Sequence, residues 1–295
     1  MIKYNPKSWL RLIFHQYSRE TFRKTLPNIF VLTFYVSVFT VLYEIYWEGS
    51  LEVNSSVHSL LGIVLGLFLV FRTNTAYDKW WEGRKIWGAL VNDCRNLALK
   101  LDAFLALEEK ALRRRMCDLI TNYPKVLKEH LRDNKVGKSL VDRQNQLTDI
   151  AKWDHQPNYI ASKIYQEITS MFNSGKINGE QLFLLDKEIK GLTDHLGACE
   201  RIKNTPIPYA YNMYMKKFIF LYSLTLPLGF INDFGYWTIP VTLFIFYFLV
   251  TIEFIAEEIE EPFGLDENDL PTDELSDKIN DSVVEILLSR VNRPS

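Results

Sequence analysis

Residues 58–88 read HSLLGIVLGLFLVFRTNTAYDKWWEGRKIWG, and this stretch decides the fold. It opens apolar and closes charged and tryptophan-rich, with no proline between. No side chain from His58 to Phe71 is ionised; Arg72, Asp78, Lys79, Glu82, Arg84 and Lys85 then follow. One long helix that leaves a bilayer and continues into water has this pattern. Two stripes overlie its apolar half. Ile63, Leu67 and Phe71 recur every four residues and share a helix face. Gly62 and Gly66 form a G-x-x-x-G on the adjacent face, where small residues let another helix approach. Two readings are open. The large residues line a pore while the glycines pack against a neighbour, or all five are ordinary lipid-facing or packing positions.

The basic residues set the topology. None lies between Lys24 and Arg72, and none between Lys217 and Lys278. The first gap holds apolar runs at 28–47 and 58–71, the second at 218–231 and 237–256. Each run is close to the ~20 residues that cross a ~30 Å hydrocarbon core. The loops WEGSLEVNSS and NDFGY carry acids and no cation, so the positive-inside rule places them outside. Four spans with both termini in the cytosol follow. The chain divides into a cytosolic amphipathic N-terminal helix (1–26), spans one and two (27–82), a cytosolic helical domain (83–208), spans three and four (209–256) and an acidic cytosolic segment with a last helix (257–295). The net charge of −2 gives no reason to expect nucleic acid.

Within that frame, residues 7–24 mix apolar and basic side chains at helical spacing, as an interfacial helix or one packed on the cytosolic domain does. Pro27 is expected to open the first span, where a missing N–H costs least. Pro124 and Pro227 are expected to kink their helices. Arg113, Arg114 and Arg115 read as a solvated face or a salt-bridge surface between subunits. Asn178 is expected to cap a helix, with Gln181 completing a capping box. That helix carries Leu182, Leu185, Ile189, Leu192 and Leu196 as a buried seam. Long helices of this kind build a bundle, and no strand is evident. The acidic run after the fourth span reads as solvated surface; it lacks the full EF-hand spacing.

Chemistry of other kinds is not signalled. Cys94, Cys117 and Cys199 are odd in number, lie on the expected cytosolic side and have no Cys-x-x-Cys spacing, so neither disulfides nor zinc is expected. The five histidines show no H-x-x-x-H spacing, and no phosphate-binding glycine loop or nucleophile motif occurs, so an enzyme and a cofactor are not expected. An ion-coupled carrier would need paired ionisable groups near the midplane and inverted repeats. The spans offer only Glu44 and Glu253, both near ends, and no repeat.

Three stretches, FRTNTAYDKWWEGRKIWG (71–88), CERIKNTPIPYAY (199–211) and EEIEEPFGLDENDLP (257–271), resemble the signature stretches of bacterial bestrophins in order, spacing and span layout. The resemblance covers nearly the whole chain. It implies an all-α protomer with four transmembrane helices and a cytosolic helical bundle, assembled as a homopentamer around one axial pore in the bacterial inner membrane. It further implies passive conduction of monovalent ions, with Ile63, Leu67 and Phe71 as a hydrophobic neck that can gate by dewetting. A second constriction is expected at the cytosolic aperture, at or next to Glu180, with Gly179, Gln181 and Leu182 as rival occupants. The family has an apolar residue there; a ring of Glu180 carboxylates would attract cations, so a slight preference for Na⁺ and K⁺ is expected, with an anion channel of the same architecture as the alternative. The rival account of Glu180 is a carboxylate that complements its helix dipole. Asp266 and Asp269 match two positions of the calcium clasp of animal members, but Glu258 replaces an amide side chain and the acidic run is shorter, so calcium is not expected.

Overall fold

The structure, a computed structural model, describes residues 16–47, 55–136, 140–142 and 147–289. Among these the regular elements are all helical: α1 (Gln16–Tyr46), α2 (Ser55–Phe104), α3 (Lys110–Leu131), α4 (Gln156–Asn173), α5 (Gly179–Asn204), α6 (Tyr209–Phe234), α7 (Thr238–Glu260) and α8 (Thr272–Leu288), with 3-10 turns at Ile150–Lys152 and Gly235–Trp237. The chain separates into two compact units. One holds the described residues up to Trp80 together with 206–261 and 266–268; the other holds 81–205, 262–265 and the described residues from Asp269.

The first unit packs α1, the first half of α2, α6 and α7. Three apolar stretches, Thr25–Tyr46, Ser56–Phe104 and Tyr209–Glu260, are long and apolar enough to cross a membrane, and the last contains both α6 and α7. Side-chain pairs fix the helix directions. Tyr35 Oη donates to Leu224 O at 2.9 Å and Tyr43 Oη meets Asn232 Oδ1 at 2.5 Å, so α1 and α6 run parallel. His58 lies against Tyr222 and Gly229 while Phe68 lies against Tyr211 and Phe218, so α2 runs against α6. Lys216 pairs with Glu257 across α6 and α7, whose other ends the 3-10 turn joins, so these two are antiparallel. Gly235 makes that turn with φ +51°, and a Cβ there would stand 3.3 Å from Glu44 Oε1; only glycine meets both conditions. Leu32, Val36, Leu65, Leu69, Ile219, Leu226 and Phe246 form the core. Lipid tails are as apolar as these side chains, so close packing rather than water exclusion holds them. Gly62 serves that packing: a Cβ on it would lie 2.6 Å from Tyr222 Oη.

Pro27 departs from expectation. It lies inside α1, not at its start. α1 is already helical at Gln16, so the ring removes an interior hydrogen bond. The first half of the expected interfacial helix at 7–24 lies outside the described residues, and its described part, from Gln16, continues into α1.

One buried ion cluster holds the first unit. Arg72 is fully buried and its Nη2 donates to Glu260 Oε2 at 2.7 Å, with Glu253 Oε1 at 3.8 Å from Nε. Glu260 Oε1 accepts the Ile207 N–H at 2.8 Å and has Lys79 Nζ at 3.8 Å. Beside it, Trp80 Nε1 donates to Asn268 O at 2.9 Å and Asn268 Nδ2 to Glu258 Oε2 at 3.0 Å. The acidic run is therefore not simply solvated: Glu260 is 6% exposed.

The second unit is a helical bundle around α3. Leu112, Met116, Ile120, Tyr123 and Leu127 face Ile160, Ile164 and Ile168 of α4, Leu185, Ile189, Leu192 and Leu196 of α5, and Ile279, Val283 and Leu287 of α8, all of them buried. Four of the five expected seam residues, Leu185, Ile189, Leu192 and Leu196, are buried; Leu182, in the first turn, is half-buried. The cap is as expected: Asn178 Oδ1 accepts the Gln181 N–H at 2.8 Å and Gln181 Oε1 accepts the Asn178 N–H at 2.9 Å. Arg113 is not a surface charge. It is buried and closes the end of α2, donating to Leu105 O at 2.5 Å, Asp102 O at 3.0 Å and Ala106 O at 3.2 Å, and pairing with the Asp102 carboxylate. The last carbonyls of a helix have no intrahelical partner and attract a cation, which explains the position. Burial also pushes the Cys199 thiol up to about 12, so it stays protonated and unreactive.

Two predictions follow from these charges. Arg72→Met should destabilise the protein by about 3–5 kcal/mol, because two buried carboxylates lose their counter-ion. Adding Glu260→Gln should recover part of that loss, and thermal melting in detergent reads both effects. Asp273, in the first turn of α8, is held at about 2 by hydrogen bonds from Arg132, 2.8 Å away, and from Lys128. A lowered carboxylate pKa contributes stability above the unfolded value of ~3.9 and loses it as pH falls toward the folded value. The side chain is half exposed, so screening keeps the contribution below about 1 kcal/mol. The melting difference between wild type and Asp273→Asn should be constant above pH ~4 and shrink toward pH ~2; a difference that persists at pH ~2 would mean that packing, not charge, is lost.

Candidate functional site

The apolar half of α2 has two opposed faces. Leu65, Leu69, Arg72 and Ala76 are buried within the protomer. At 100° per residue, Ile63, Leu67 and Phe71 point roughly 180° away from them. Their exposures are 64%, 56% and 62%. Leu60 and Val70, at 63% and 56%, border the stripe. The protomer thus leaves an apolar face of α2 uncovered along three turns. Of the two glycines beside it, Gly62 meets Tyr222 of α6, while a Cβ on Gly66 would have nothing within 4 Å. Thr73 and Thr75, one turn on, return their hydroxyls to the carbonyls of Leu69 and Phe71 at 2.8 Å and 2.9 Å, so neither hydroxyl proton is offered outward.

Of the other expected positions, Glu180 and Asp269 lie in the second unit and Asp266 in the first. Glu180 is exposed in the first turn of α5, one residue before the Gln181 that completes the capping box. Its neighbours differ in what they present: Gln181 is occupied by the cap, Leu182 is half-buried, and Phe183 is 77% exposed. Asp266 is exposed and belongs to the first unit; Asp269 is 2% exposed and belongs to the second. Neither belongs to the three-ligand group present among the described residues.

Reading the sequence missed the Arg72 cluster. Its signal was present: Arg72 is the first cation after the apolar run, and Glu253 and Glu260 are seven apart, hence on one face of α7. The cluster draws together the stretches 71–88, 199–211 and 257–271, through Arg72, Ile207 and Glu260.

Comparison with known proteins agrees with this layout. Residues 1–285 match the family described as bacterial/fungal Bestrophin protein. A voltage-dependent anion channel-forming protein of Nostoc sp. is 34% identical over 274 residues, covering 90% of this chain and 88% of the relative. One from Ralstonia nicotianae is 27% identical over 286 residues, covering 95% and 92%. The crystal structure of a bacterial bestrophin homologue from Klebsiella pneumoniae superposes with a TM-score of 0.82 at 26% identity, covering 91% of this chain and 99% of that one. With a family match over nearly its whole length and a relative one-third identical across nine-tenths of it, the chain belongs to the bacterial/fungal bestrophin family.

Proposed function

We propose that the protein is a passive channel for monovalent anions, formed by five copies around an axial pore lined by the apolar halves of α2. The observation that carries this reading is the uncovered stripe Ile63, Leu67 and Phe71, diametrically opposite the packed face of the same helix. Five such stripes meeting on one axis form a neck that ions pass partly dehydrated and that closes by dewetting. The alternating directions of α1, α2, α6 and α7 support four spans with both termini on the cytosolic side of the bacterial inner membrane, and the cation gaps support the orientation. In this arrangement 83–208 and 257–295 lie in the cytosol, and Glu180 or its neighbours border the exit.

The anion preference replaces the cation preference expected from Glu180. Relatives covering nine-tenths of the chain bear the name voltage-dependent anion channel-forming protein, which favours the alternative. Local physics agrees: a carboxylate in the first turn of α5 faces the partial positive charge of that helix N-terminus, which weakens its pull on passing cations.

The test is the reversal potential of purified protein in a planar bilayer under a potassium chloride gradient. It should lie near the chloride equilibrium potential and stay there in Glu180→Gln. A value near the potassium potential that relaxes in the variant would restore the cation reading. Separately, Leu67→Ala should raise single-channel conductance several-fold by widening the neck; unchanged current would place the stripe against lipid.

A further inference from the structure

The second unit contains a group of side chains that no part of the conduction reading uses. His130 stands in the last turn of α3, His155 is the N-cap of α4, and Glu200 lies on α5. His130 Nε2 is 2.7 Å and His155 Nε2 2.8 Å from the same carboxylate oxygen, Glu200 Oε1. The two rings are tilted by 41° with centroids 4.6 Å apart. All three ligand atoms lie within 4.8 Å of one another.

We propose that His130, His155 and Glu200 bind a divalent transition-metal ion of the zinc class. The donor set selects the ion. Imidazole suits zinc and its neighbours, whereas calcium and magnesium take oxygen donors almost exclusively. Two imidazoles and one carboxylate leave further positions for water, and side-chain exposures of 27%, 36% and 29% leave solvent an approach. The distances allow it. Zinc bonds of about 2.0–2.2 Å set tetrahedral ligand atoms about 3.3 Å apart. The contacts at 2.7 Å and 2.8 Å must therefore open by about half an ångström, and the two histidine nitrogens, within 4.8 Å of each other, must take up the same ~3.3 Å spacing, both by side-chain adjustment.

Without a metal the same group is a hydrogen-bonded tie between three helices, and the protonation pattern states the cost of the exchange. His155 Nδ1 accepts the Asn158 N–H at 3.4 Å, so the ring carries its proton on Nε2 and gives it to Glu200. Metal at Nε2 requires the proton to move to Nδ1, which gives up that long capping bond. What is gained is a coordinate link among the end of α3, the start of α4 and the C-terminal end of the long α5. In the polypeptide 25 residues separate the two histidines and 45 separate His155 from Glu200, so the ion would close two long segments at once.

The experiment is calorimetric titration of zinc chloride into chelator-treated, tag-free full-length protein in detergent. One zinc per chain should bind, with no comparable binding of magnesium. His130→Ala and His155→Ala should each weaken binding about ten-fold or more. Glu200→Gln keeps the hydrogen-bond acceptor and removes the charge, so it should fold as the wild type does and bind zinc more weakly. Cobalt(II) gives a readout independent of stability: visible ligand-field absorption of an imidazole-bound ion should appear in the wild type and vanish in the variants. Absence of that absorption from the wild type, or zinc binding unchanged in Glu200→Gln and in the double alanine variant, would overturn the proposal.

Discussion

A guanidinium that is fully buried among apolar helices constrains everything around it. Arg72 follows directly on fourteen residues without an ionised side chain, and its charge is enclosed by protein. Such a charge is stable only with close counter-charges and hydrogen bonds. Glu260 and Glu253 supply them from α7, and Glu260 in turn takes up the Ile207 N–H just ahead of α6. The constraint explains why three distant stretches of sequence are so particular in type. A shift of α7 by one turn would carry Glu260 away from Arg72 and break the 2.7 Å hydrogen bond between them. Buried ion pairs of this kind contribute little net stability, but they penalise every other register heavily.

That register fixes the opposite face of α2. With Arg72, Leu65 and Leu69 turned inward, helical geometry points Ile63, Leu67 and Phe71 outward. No freedom remains for the stripe to rotate toward the protomer core. The helix is thus oriented by a polar anchor on one side so that an apolar surface is presented on the other. Gly62 adds to the same end, because the close approach of Tyr222 sets the spacing of α2 against α6.

Local patterns were legible in the sequence and tertiary partnerships were not. The continuous α2, the capping box of Asn178 and Gln181 and the α5 seam depend on spacings of three and four residues, which the sequence displays directly. The pairing of Arg72 with Glu260 joins residues 188 apart. Arg113 was read as surface because a run of three arginines is usually solvated; only the fold shows that α2 ends beside it and needs a cation. Pro27 was placed at a helix start by local preference, and a longer helix overrode that preference. The histidines give the sharpest case. A test of ligand spacing along the chain finds nothing, because His130, His155 and Glu200 come from three different helices. The neck and aperture came from resemblance to a family, since periodicity alone does not tell a pore from a lipid face.

The proposed anion preference shows why one residue is a poor guide to a field. Glu180 is a full negative charge, but it sits where the first amides of α5 contribute about half a positive charge. Its side chain is exposed to water, which screens what remains. The proposed neck residues Ile63, Leu67 and Phe71, by contrast, carry no charge, so in the proposed channel the decisive quantity would be the cost of removing water from the ion. Large anions give up their hydration more easily than small cations of equal charge, as their charge is spread over a greater radius. On the proposed reading an apolar constriction would favour anions without any basic residue, and an exposed carboxylate at a helix start would be too weak to reverse it.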